Sequence, residues 1–131
     1  MRPALFLPII ASFTAVTILA CKSSTAPSLP SGDVAIVVNA STMGSAAFSP
    51  NPFSESFATR AKVIWVNADR TSTGYGSTTG TTHHLVSDTG VFDSGALAPG
   101  ASFSFTFATT GTYAYHCSIH PSMVGTVTIS P

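Results

Sequence analysis

The sequence predicts an all-β, single-domain protein, a sandwich or barrel of short strands, and three observations carry that prediction. Residues 101–108 (ASFSFTFA) alternate without a break, with Phe103, Phe105 and Phe107 on one face and Ser102, Ser104 and Thr106 on the other. A period of two is that of a half-buried strand and fits no helix. Short apolar runs are punctuated by turn signals at Asn51-Pro52, Thr89-Gly90 and Ala98-Pro99-Gly100. Beyond the first twenty residues no stretch repeats with a helical period, and many short strands between Gly and Pro turns indicate a sandwich or barrel.

Length and composition set the limits. A chain of 131 residues is long enough for one domain. It is 44% hydrophobic, with nine Phe, three Tyr and one Trp, which is enough apolar matter for a core and speaks against disorder. Only 8% of the residues are charged and the formal net charge is zero, so nucleic acid is not an expected partner. The polar surface is supplied mainly by 19 Ser and 18 Thr.

Taken in order, residues 1–20 form an export signal. Met1-Arg2 is a short positive start, residues 3–20 carry no charge, and the small Ala20 precedes Cys21. As a membrane span the stretch is short, since about 20 apolar residues are needed, and Pro3 and Pro8 make it a poor one. Ile18-Leu19-Ala20-Cys21 resembles a bacterial lipobox. The resemblance implies that Cys21 becomes the lipidated first residue of an exported bacterial protein, anchored to a membrane and facing the periplasm or the cell exterior. Two or more acyl chains anchor stably where one does not. Residues 21–32 then comprise the lipidated Cys and a Ser/Pro-rich tether, and residues 33–131 the folded domain. In the processed chain Cys117 is the lone thiol of the fold, and a lone thiol in an exported protein needs an explanation.

Strands are expected at 35–38 (AIVV), 61–67 (AKVIWVN), 101–108 and 125–130. Another runs through TYAYHC, which places Tyr113, Tyr115 and Cys117 on one face. His116 then faces the other way, as a surface histidine. Residues 70–82 (RTSTGYGSTTGTT) read as a long Gly/Ser/Thr surface loop.

The chemistry lies in the last fifty residues. His83-His84 is followed by Cys117-Ser118-Ile119-His120-Pro121-Ser122-Met123. Zinc prefers four strong Cys or His donors, and thioether suits it poorly. Calcium and magnesium want carboxylates, of which only Asp88 and Asp93 are near in sequence. Two imidazoles and a thiolate with a weak axial thioether form the electron-transfer copper arrangement. The chain supplies that set once: Cys117, His120, Met123 and one member of the His83-His84 pair.

GTYAYHCSIHPSMVGTVTI resembles the C-terminal ligand loop of cupredoxins, particularly the plastocyanin and amicyanin branch, and its Cys-x-x-His-x-x-Met spacing is similar to that of amicyanin. HHLVSDTGVFDSGALAPGASFSFTF resembles the segment carrying the first histidine, KVIWVNAD the strand before it, and AAFSPNPF the upstream Phe-x-Pro turn. The resemblance covers roughly residues 33–130. It implies a Greek-key β-sandwich holding one mononuclear copper per chain. The family's His-x-x-x-x-Asp spacing, counted back from Asp88, selects His83 as the first ligand. Strand alternation agrees, because His83 pairs in facing with Leu85, whereas His84 would bury Val86 instead. His84 is the alternative.

Three departures from the family stand out, one of them the long 70–82 loop, which is expected beside the copper end of the sandwich. The residues flanking His83 are Thr82 and His84 rather than Pro and Asn, so the tie between the two ligand segments must be rebuilt. Ile119 stands where the branch commonly has Pro, so its N–H is free to reach the Cys117 sulfur.

The resemblance implies electron transfer, with His120 as the electron port inside an apolar patch formed by Ile119 and Pro121; for His116 a lateral exit one residue from the ligand is the alternative to a plain surface histidine. Expected partners are a donor and an acceptor redox protein, docking weakly on a monomer. A copper chaperone or storage protein would use the same donors and is the alternative. An enzyme is not expected, since multicopper oxidases and nitrite reductases need further copper sites and this chain has only four histidines.

Overall fold

The structure is a computed structural model, and it describes residues 32–72 and 78–131. The signal segment, Cys21, nearly all of the tether and the middle of the 70–82 loop lie outside the described residues. Within them the chain forms strands β1 (Val34–Ile36), β2 (Phe48–Ser49), β3 (Phe53–Ser56), β4 (Lys62–Asn67), β5 (Arg70–Ser72), β6 (Thr78–Gly80), β7 (His83–Ser87), β8 (Asp93–Leu97), β9 (Ser102–Thr106), β10 (Gly111–Cys117) and β11 (Val124–Ser130). Two single-turn 3-10 helices, Ala40–Thr42 and Gly44–Ala47, join β1 to β2.

Nine of the strands build two main sheets, in the orders β2-β1-β4-β9 and β3-β11-β10-β7-β8, and β5 and β6 form a small two-stranded one. Neighbouring strands are antiparallel except β1 with β4 and β3 with β11. The alternating faces meet between the sheets. Phe103 and Phe105 of β9 are half-buried and Phe107 is buried, while the intervening Ser102, Ser104 and Thr106 are exposed. Trp65 of β4 lies at the centre, its ring 5.1 Å from Phe92, 5.7 Å from Phe103 and 5.8 Å from Tyr115. Such aromatic pairs contribute about 0.5–1.5 kcal/mol each beyond the area they bury. Tyr115 is accommodated by a glycine: a Cβ on Gly125 of β11 would meet the Tyr115 Cζ at 2.3 Å.

Local chemistry explains where the strands differ from expectation. β1 ends at Ile36, earlier than the sequence suggests. The Val37 N–H turns to the carbonyl of Ala47 at 3.0 Å, and Asn39 adopts a left-handed conformation with φ 61. The 70–82 segment is not simply a loop, because β5 and β6 pair antiparallel with Arg70 opposite Gly80 and Ser72 opposite Thr78. Its Thr-rich ends suit a strand better than the Gly content of the whole segment suggests. Between β7 and β8 the register shifts at His84–Val86. Gly95, at φ 62, supplies the positive φ that such a bulge commonly uses.

Candidate metal centre

β7 and β10 are adjacent, with Cys117 opposite Leu85 and His116 opposite Val86. This register sets the first residue of β7 and the last residue of β10 at the same end of the sheet. His83 opens β7 and points inward, in step with Leu85 and Ser87, all three buried. Cys117 closes β10 in step with Tyr115, and both are buried. The chain then turns through residues 118–122 and enters β11 after Met123. Two hydrogen bonds shut that turn: Cys117 N–H to the Met123 carbonyl at 3.1 Å, and Met123 N–H to the His120 carbonyl at 2.9 Å. A third, from Ser118 N–H to the His84 carbonyl at 2.8 Å, fastens the turn to β7.

The result is one cluster of donors. One ligand-type atom each from His83, Cys117 and His120 lie within 4.8 Å of one another. The Nδ1 atoms of His83 and His120 are each 3.7 Å from the Cys117 Sγ, and the two imidazole rings are 5.2 Å apart. Met123, at the end of the same turn, is fully buried. His83 and Cys117 are fully buried as well, whereas His120 is partly exposed between the exposed Ile119 and Pro121.

His84 goes elsewhere. Its imidazole Nε2 lies 2.5 Å from the exposed Asp93 Oδ1, while its backbone N–H reaches the Cys117 Sγ at 3.4 Å. The structure therefore groups His83, not His84, with Cys117 and His120. The N–H that meets the sulfur is that of His84. Ile119 makes no such bond, and its side chain is half exposed to solvent. His116 faces outward, its Nδ1 2.6 Å from Asp88 Oδ1.

Asp69 was not singled out in the sequence. It follows β4, is buried, and places Oδ2 3.0 Å from the Nε2 of His83. Its other oxygen accepts the Asn39 N–H at 2.8 Å. Burial pushes the His83 imidazole below its ordinary pKa; the hydrogen bond and charge of Asp69 oppose that, and the neighbouring His120 adds to it. Met43 is a second residue that periodicity could not reveal. It is exposed, and its neighbour Gly44 sits against the Ser122 carbonyl, so the 3-10 segment borders the metal-end turn.

Comparison with known proteins agrees with this architecture. Residues 35–130 match the family of copper binding proteins described as plastocyanin/azurin, and the chain belongs to that family. A purple cupredoxin from Nitrosopumilus maritimus is 27% identical, with a TM-score of 0.60 over 76% of this chain and 100% of that one. A reduced Cu(I) form of an amicyanin point mutant is 21% identical, with a TM-score of 0.54 over 77% of this chain and 85% of that one, a likeness of fold. A copper-containing nitrite reductase from Thermus scotoductus is 27% identical, with a TM-score of 0.52 over 64% of this chain but only 20% of that one. No curated protein matches the chain.

The family binds copper, and the donors present fit it. Both imidazoles stand 3.7 Å from the Cys117 sulfur, close enough for a single metal ion to be held by all three side chains. Two imidazoles, a thiolate and a nearby thioether are the donors of an electron-transfer copper site.

Proposed function

We propose that this protein is an electron carrier and not an enzyme, and that His83, Cys117 and His120, with the thioether of Met123, would hold one copper. The observation that supports it most is the contrast in exposure: three donors, His83, Cys117 and Met123, are fully buried, and one imidazole, that of His120, reaches solvent. The copper would supply a one-electron couple between Cu(I) and Cu(II). The protein's part is to keep the donors in one arrangement for both states. The hydrogen bonds that close the 118–122 turn and tie it to β7 serve that end. The His84 N–H on the Cys117 sulfur stabilises negative charge there. His120 is then the electron port. The exposed Ile119 and Pro121 on either side of it supply an apolar surface of the kind that brief, weak docking of a redox partner requires. Among the described residues no helix is long and apolar enough to cross a membrane. We place the carrier outside the cytoplasm as a monomer, exported by residues 1–20 and tethered through a lipid on Cys21.

Protein-film voltammetry combined with a copper chelator tests the reading. A reversible one-electron wave, with copper retained for hours against the chelator, is the expected result. Copper surrendered within minutes and no reversible wave would instead indicate storage or delivery. Fatty-acid labelling that is lost in Cys21→Ser tests the anchor.

A further inference from the structure

We propose that Asp69 is a positioning residue for the metal centre, fixing the tautomer of His83 and shifting the copper couple toward its oxidised state. The inference rests on the copper reading above but carries a test independent of it.

An imidazole that offers Nδ1 to a metal must carry any ring proton on Nε2, and the partner of that second nitrogen decides the tautomer. In His83 the Nδ1 faces the Cys117 sulfur and the Nε2 meets Asp69 Oδ2 at 3.0 Å, with both side chains buried. A carboxylate can only accept there, so His83 donates from Nε2 and leaves Nδ1 bare.

The carboxylate is held from several sides. Oδ1 takes the N–H of Asn39, whose left-handed backbone aims it inward. The Asp69 N–H is bound by Asn67 Oδ1 at 3.0 Å, and the Asn67 amide spans the carbonyls of Thr81 and Leu97 at 2.8 and 2.9 Å. The Asp69 carbonyl accepts the Thr81 N–H at 3.2 Å, and a Cβ on Gly80 would come within 2.1 Å of that carbonyl. β4, the start of β7 and the segment after β1 therefore converge on one carboxylate. A buried carboxylate is costly unless fully hydrogen-bonded, and this one has a partner on each oxygen, one of them the buried imidazole. A negative group hydrogen-bonded to a donor imidazole makes that nitrogen more basic and favours Cu(II) over Cu(I).

The test compares the protein with Asp69→Asn, a near-isosteric neutral change. Removing such a partner typically changes metal affinity 10–100-fold. We expect Cu(II) affinity to fall about 10-fold relative to Cu(I), which raises a one-electron potential by about 59 mV, with the thiolate absorption retained. In the metal-free wild-type protein, nitrogen-15 NMR should show the His83 proton on Nε2. An unchanged potential in Asp69→Asn, or a His83 proton on Nδ1 in the metal-free protein, overturns the inference. If Asp69→Asn fails to fold, the wild-type tautomer alone decides. A wild-type protein that takes up no copper would sink the copper reading, while the tautomer measurement would still judge the role of Asp69.

Discussion

The backbone N–H of His84 points at the Sγ of Cys117, 3.4 Å away, while the His84 imidazole turns outward to Asp93. One residue thus ties the two donor segments together through its main chain and leaves the donor role to its neighbour. The tie is made by the main chain, so it needs no particular side chain at position 84. The Ser118 N–H, bound to the His84 carbonyl, completes it.

This division predicts opposite outcomes for adjacent histidines. His84→Ala should keep copper binding and the thiolate-to-copper absorption, since the N–H on sulfur remains. His83→Gln should lower Cu(II) affinity by more than about 100-fold, beyond the cost of losing an outer partner. Titration with Cu(II) distinguishes them, and equal losses would contradict the assignment.

Met123 is buried directly before β11, and Leu is close to it in volume. Met123→Leu should cost less than about 1.5 kcal/mol of stability. It should also raise the reduction potential, because the axial ligand tunes it. Voltammetry showing an unchanged potential would remove Met123 from the centre.

Gly125 lies against the ring of Tyr115, where a Cβ would be 2.3 Å from Cζ and 2.4 Å from the hydroxyl oxygen. Tyr115 is buried and cannot swing into solvent. Gly125→Ala should therefore destabilise the fold by about 1–3 kcal/mol through overpacking, read as a lower urea midpoint.

The metal-free protein should weaken in mild acid. Burial lowers the His83 pKa below its ordinary 6.5. As pH falls through 6.5 the unfolded chain takes up a proton that the folded protein refuses. Stability therefore drops with falling pH by up to about 1.4 kcal/mol per pH unit, until the lowered folded value is reached. Above that window the contribution is fully present. Urea midpoints between pH 7.5 and 5.5, chosen on either side of the ordinary value of about 6.5, should fall more in the wild-type protein than in His83→Gln.

Much of this was legible in the sequence because alternation reports which face is buried. Phe103 and Phe105 of β9, with Phe107 just beyond its end, share one inward side, and Tyr115 and Cys117 that of β10. The 117–123 spacing places three donors on one tight turn, so local sequence carries most of the cluster. Asp69 was opaque for the opposite reason. It follows the end of β4, where Val66, Asn67 and Asp69 are all buried and the period of two is lost. Its partners Asn39 and His83 are 30 and 14 residues away. The β5–β6 pairing was hidden by composition, since Thr serves strand and loop alike. The turns at 40–47 are too short to show a helical period.

The copper–thiolate assignment is tested most directly by the visible absorption and EPR spectrum of the purified protein after one equivalent of Cu(II). That assignment predicts an intense thiolate-to-copper band with narrow copper hyperfine splitting, both abolished in Cys117→Ser. A protein that binds no copper, or binds it with the same weak absorption with and without the Cys117 thiol, would contradict it.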